Sequence, residues 1–193
     1  VDVTTEQPSG TDDQGDEWLV GRGVRVVIGA NTGWWLSEAG GLAFVTSFGV
    51  KESGPVAFIF NQDPLGVARA VSHEVGHTLG LYHSGQTTGV EYYTGHADWA
   101  PIMGVGYYKN VVQWTRGDYP LSNNTQDQVA LISGRIPRVP DEHGSTATTA
   151  SVVSGANFTA GGIIADRADQ DWFRITAGAG TVNRRNREGP APL

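Results

Sequence analysis

Two histidines four residues apart, His73 and His77, bracket a glutamate at position 74, and a third, His83, follows a glycine at position 80. On a helix, residues i and i+4 share a face, so the two imidazoles can reach one ion. Glu74 is turned about 100° from His73, beside that ion rather than on it, where a carboxylate can take a proton from a water. Gly80 lets the chain turn sharply, so that His83 arrives from outside the helix. Three neutral imidazoles leave a fourth tetrahedral position open, which is the arrangement of a catalytic zinc site. Closed structural zinc sites usually include cysteine, and this chain has none. The competing reading is three unrelated polar histidines near a helix end. Average residue usage produces the whole HExxHxxGxxH pattern by chance in such a chain with a probability on the order of 10⁻⁵.

The elements that must position these side chains are legible around them. Asp63 and Pro64 supply an N-cap and a first helical residue. The pattern from there to about Leu79 predicts a helix that Gly80 ends. Ala68, Val71, Val75 and Leu79 fall on one side of it, an expected apolar stripe opposite His73 and His77. Upstream, 24–28, 42–48 and 55–60 are β-branched or aromatic runs bounded by Gly or Pro, and read as strands. Residues 84–100 read as irregular. A second helix is expected over 123–134, capped by Asn123 or Asn124 and closed by Gly134.

The flanking segments divide the chain. Residues 8–17 are turn-forming and acidic, a solvated loop; a calcium site is possible there but unsupported, because the EF-hand spacing is absent. Residues 137–149, with two prolines and then small polar residues, read as a linker. Short strands with glycine turns are expected over 150–183, and 184–193 is left as an irregular tail. The catalytic unit is thus expected at 1–136.

Composition narrows the partners. With 13 Lys and Arg against 20 Asp and Glu, the net charge is −7, which gives phosphate-backbone binding no electrostatic footing. Nucleic acid is excluded as a partner. No apolar run approaches the ~18 residues of a membrane span. The 27 glycines are about double average usage, so many turns and loops are expected. No charged and then apolar leader opens the chain; Val1-Asp2-Val3-Thr4-Thr5 reads like the inside of a strand, so the true N-terminus is expected to be missing.

The extended histidine pattern resembles that of the metzincin zinc peptidases. Those enzymes also carry a methionine in a tight turn beneath the metal, and the only Met here, Met103, sits 20 residues after His83 between Pro101 and Gly104. The stretches GGLAFVTSF, SHEVGHTLGLYH, EYYTGHADWAPIMGVGYYKNVVQW and NNTQDQVALI together look like bacterial secreted metzincin-like peptidases. Residues Gly161 to Ile164 and Asp169 to Ile175 resemble the first part of the bacterial prepeptidase C-terminal domain, a small β-sandwich. The resemblance implies an α+β catalytic domain (mixed twisted sheet, active-site helix, Met-turn) followed by a partial sandwich. It also implies a secreted, extracellular location. His83 is followed by Ser84, as in matrixin-like members, where several other branches have an acidic residue.

The function this implies is zinc endopeptidase, with one catalytic zinc on His73, His77 and His83, Glu74 as the base, and Met103 as a packed floor. Segment 42–48 would be the edge strand above the cleft, to which an extended peptide or protein substrate adds as another strand. The glycine-rich segment after Met103 would line the pocket for the residue just past the scissile bond. A monomer is expected. The alternative is a zinc-binding but inactive adhesion or binding fragment, against which the intact Glu74 argues; a small-amide hydrolase using the same site is a further reading. Tyr107 could meet the transition-state oxyanion, although plain packing is favoured, and His96 is a further potential ligand for which an ordinary hydrogen-bonded role is favoured. Asp169 and Asp171 read as turn residues. Trp18, Trp34, Trp35, Trp99 and Trp114 read as core or cleft walls.

Overall fold

Three short strands, β1 (Arg25–Ile28), β2 (Gly41–Ala43) and β3 (Val56–Ile59), form a mixed sheet in the order β1-β3-β2. β1 runs parallel to β3, with Arg25 opposite Val56, and β2 runs antiparallel to it, with Gly41 opposite Ile59. β3 carries the alternation of a half-buried strand: Ala57 and Ile59 are fully buried, Val56 and Phe58 only partly. Against β3 and β2 packs the helix α1 (Pro64–Thr78). The computed structural model describes residues 21–33, 35, 38–50, 54–155, 158–164, 168–176 and 178. The opening strand, the acidic loop 8–17, Trp18, Trp34 and the tail 184–193 lie outside these.

Helix α1 begins as its sequence dictates. The Asp63 carboxylate accepts from Gly66 N at 2.8 Å, and Pro64 occupies the first turn. It ends at Gly80, whose φ of +94° suits a residue without a Cβ. The face it buries differs from the expected apolar stripe. Gly66, Ala70, Glu74 and His77 are buried, whereas of the expected stripe only Leu79 is buried, Ala68 being exposed and Val71 and Val75 half-buried. The side carrying the chemistry is the packed side, where Gly41 of β2 lies directly against Glu74.

The strand expected over 42–48 is also shorter than its composition suggests. After Ala43 the chain turns, and Thr46 N and Phe48 N donate to the carbonyls of His77 and Thr78 at 2.9 and 3.0 Å. Those carbonyls are among the last four of α1, which have no partner inside the helix. The segment is spent on capping the helix rather than on lengthening the sheet.

Downstream, β4 (Trp99–Pro101) and β5 (Val111–Gln113) pair in parallel, and α2 spans Gln128–Ser133. The cap of α2 is Asp127, whose carboxylate accepts from Ala130 N at 3.0 Å, so the helix starts later than the expected 123. The chain divides into two compact units, Val1–Ile136 and Pro137–Leu193. In the second, β6 (Ser151–Val153) and β7 (Phe173–Ile175) form a parallel pair, the only sheet there among the described residues. The expected partial sandwich is therefore not seen; one ladder of three residue pairs stands in its place. Among the described residues no helix is long and apolar enough to cross a membrane.

Candidate metal centre

Helix α1 brings His73 and His77 one turn apart, with ring centroids 4.8 Å from each other. His83 closes the group, its ring 5.4 Å from His73 and 4.7 Å from His77. One nitrogen from each of the three lies within 4.8 Å of the others.

What each ring does with its remaining nitrogen fixes its tautomer. His73 Nδ1 is 2.9 Å from the Ile102 carbonyl, His77 Nδ1 is 2.7 Å from the Leu81 carbonyl, and His83 Nδ1 is 2.9 Å from the Glu91 carboxylate. Carbonyl and carboxylate oxygens only accept, so each Nδ1 must donate. Burial lowers the pKa of all three, His73 to about 3 with the neighbouring His77 adding to the effect, so the rings are neutral. Each Nε2 is then a bare lone pair, and those of His77 and His83 face each other at 3.0 Å. Two opposed lone pairs repel unless a cation lies among them. Tetrahedral zinc, with Zn–N of ~2.0–2.1 Å, holds its nitrogens ~3.3 Å apart. Three neutral imidazoles converging at this spacing fit zinc.

Glu74 lies where the helix meets the sheet. A Cβ on Gly41 would lie 2.6 Å from Glu74 Cγ and 2.8 Å from its Oε1, so the carboxylate lies against strand β2. Burial pushes its pKa from 4.5 up to about 7. A carboxylate poised there is matched to taking and returning a proton near neutrality.

Met103 lies beneath the helix. It is fully buried, and a Cβ on Gly76 would meet its sulfur at 2.7 Å, with Leu81 and Trp114 atoms at 3.3 Å. The turn that carries it closes through Gly104 N to Pro101 O at 3.0 Å. The same turn supplies the Ile102 carbonyl to His73, and Met103 O accepts from Ser84 N at 2.7 Å. The turn thus touches both the helix and the chain just past His83.

The loop bearing His83 is held by side chains. Asn124 Nδ2 donates to the carbonyls of Tyr82 and His83, both at 3.0 Å. Gln126 accepts from Tyr82 N at 2.8 Å and donates to Gly80 O at 3.1 Å. Asn123 accepts from Gly85 N, and Gln128 donates to the buried Ser84 hydroxyl. Asn123 and Asn124, expected to cap α2, instead fix the third histidine. Glu91 and Tyr92 also escaped the sequence reading: the Tyr92 ring lies 4.2 Å from that of His83.

The remaining candidates fall outside the group. His96 Nδ1 meets the Tyr93 hydroxyl at 3.0 Å, an ordinary hydrogen-bonded role. Tyr107 packs its hydroxyl against Gly40, and its carbonyl, like that of Lys109, accepts from the Arg69 guanidinium. Trp99 donates to Gln113 at 2.8 Å, while Trp35 is partly exposed. Asp169 and Asp171 approach Asp141 in the second unit, and desolvation followed by the charge of Asp169 raises the Asp171 pKa.

Residues 19–84, about a third of the chain, match the family model of the M12B reprolysin-like metallopeptidases. The match includes α1 and all three histidines and ends before the Met103 turn. No curated protein matches the chain.

Proposed function

We propose that this chain is a zinc-dependent endopeptidase acting on extended polypeptide. The observation that carries the reading is the convergence of three neutral imidazoles, each with Nδ1 committed to an acceptor and Nε2 turned inward. The metallopeptidase family match over the same segment supports it. Zinc, when bound by His73, His77 and His83, would supply Lewis acidity, making a water more acidic and polarising the scissile carbonyl.

The protein's own residues do the rest. Glu74, buried and with its pKa near neutrality, takes the proton from the attacking water and returns it to the leaving amine. Among the described residues β2 is an edge strand, paired only with β3, and Gly41 sets it beside Glu74. An extended peptide adding to that edge has its backbone carried past the carboxylate. Met103 packs under Gly76 and keeps α1 at a fixed height. A secreted location belongs to the same proposal, through the resemblance alone.

The test is cleavage of an unfolded protein by zinc-loaded chain beside Glu74→Gln. Turnover is expected in the first and a loss of ~10²–10⁴ in the second, with zinc still bound. Equal activity in both sinks Glu74 as the base. Silence in both with zinc bound favours the inactive binding fragment.

A further inference from the structure

The three ligands differ in what holds them. His73 and His77 donate to main-chain carbonyls, whereas His83 donates to a side chain, and a charged one. We infer that Glu91 is a positioning residue for the third ligand: its carboxylate fixes the His83 tautomer with hydrogen on Nδ1, leaving Nε2 as the donor. The inference rests on the zinc reading of the site.

The geometry supports this role over that of an ordinary surface pair. Glu91 Oε1 is 2.9 Å from His83 Nδ1, while the Glu91 side chain is 66% exposed. An exposed ion pair contributes little to folding. A carboxylate hydrogen-bonded to a ligating imidazole does more, because it orients the ring and makes the opposite nitrogen a stronger donor. The next residue braces the arrangement. Tyr92 sets its ring 4.2 Å from that of His83, tilted by 42°. Glu91 and Tyr92 therefore both engage the His83 ring, delivered by a loop eight residues past the ligand. Without Glu91 the His83 ring keeps the Tyr92 contact but loses the acceptor that chooses between its two tautomers.

The experiment measures zinc affinity of the full chain by competition with a chromophoric chelator, in wild type, Glu91→Gln and Glu91→Ala. Far-UV circular dichroism and thermal unfolding in the presence of chelator check that the fold is kept. Glu91→Ala is expected to bind zinc about 10- to 100-fold more weakly. Glu91→Gln keeps an acceptor without the charge and is expected to fall between. The ¹⁵N and ¹H resonances of the His83 ring give a second readout: proton on Nδ1 in wild type, a tautomer mixture in Glu91→Ala. Zinc affinity in Glu91→Ala within twofold of wild type, with the Nδ1 proton unmoved, overturns the assignment and leaves the peptidase reading standing. A wild-type chain that binds no zinc overturns both together.

Discussion

His73 and His77 sit on a helix and lean on the main chain, while His83 sits on a loop and leans on side chains. The Ile102 and Leu81 carbonyls hold the first two rings. Glu91 holds the third ring, and Asn124 and Gln126 hold the loop that brings it. A carbonyl is present whatever residue bears it, so the helical half of the site is secured by the fold itself. The loop half is secured by groups that single substitutions can remove. The helical half should therefore fail by loss of stability, and the loop half by loss of metal from a folded chain.

The largest test of the helical half concerns Glu74 in metal-free protein. Burial raises its folded pKa to about 7, from an ordinary 4.5. Below 4.5 both folded and unfolded chains are protonated and the group has no effect. As pH rises through 4.5 to 7 the unfolded chain ionises first, so stability falls, and above 7 the penalty is complete. Glu74→Gln removes the ionisation and is expected to stabilise the metal-free fold by up to about 3 kcal/mol at pH 8 and by nothing at pH 4. The histidines, with lowered pKa values, destabilise the fold as pH drops through 6.5 in both proteins, so the difference between variants isolates Glu74. Thermal unfolding in chelator at pH 4, 6 and 8 checks this. A pH-independent difference would show that the carboxylate is solvated, not buried. On the proposed mechanism the same substitution raises stability while it removes turnover.

Gly76→Val probes the packing under that half at a somewhat smaller scale. A Cβ there meets Met103 at 2.7 Å and Leu81 and Trp114 at 3.3 Å, so about 1–3 kcal/mol of overpacking is expected. Combined with Met103→Ala, the loss should be less than the sum of the two single losses, because the second substitution opens the space the first requires. Strict additivity in urea unfolding would show that Met103 does not support the helix at this point.

The contrast between the halves is also a contrast in what the sequence reveals. Asp63, Pro64 and Gly80 act through local backbone chemistry, which spacing shows directly, and the i, i+4 pair of histidines follows from helix geometry alone. The face that α1 buries does not follow, because the close approach to it is made by a glycine of a different element, Gly41 of β2, which lies against Glu74. Nor does the end of β2: Phe44 to Phe48 have strand-like side chains, but the amides of Thr46 and Phe48 are captured by helix carbonyls about 30 residues away. Asn123 and Asn124 are good caps by residue type, and only tertiary structure shows them spent on Gly85, Tyr82 and His83. Glu91 leaves no periodic signal at all, since a carboxylate in a loop faces an imidazole only once the loop has closed.

Asn124 supplies the finest separation of roles. Its Nδ2 donates to two carbonyls of the ligand loop, while its Oδ1 accepts from Gln126 N at 2.9 Å, forming the local turn. Asn124→Ala removes both functions and is expected to cost about 1 kcal/mol, with weaker zinc binding. Asn124→Asp keeps the turn but sets a carboxylate oxygen where the donor was, facing the Tyr82 and His83 carbonyls. Repulsion there should push the His83 loop outward, so zinc binding by Asn124→Asp should be weaker than by Asn124→Ala even though its turn is intact. If Asn124→Asp instead matches wild type in zinc affinity, the turn alone is what matters. His83 would then be placed by Glu91 and the Met103 turn, without the clamp from below.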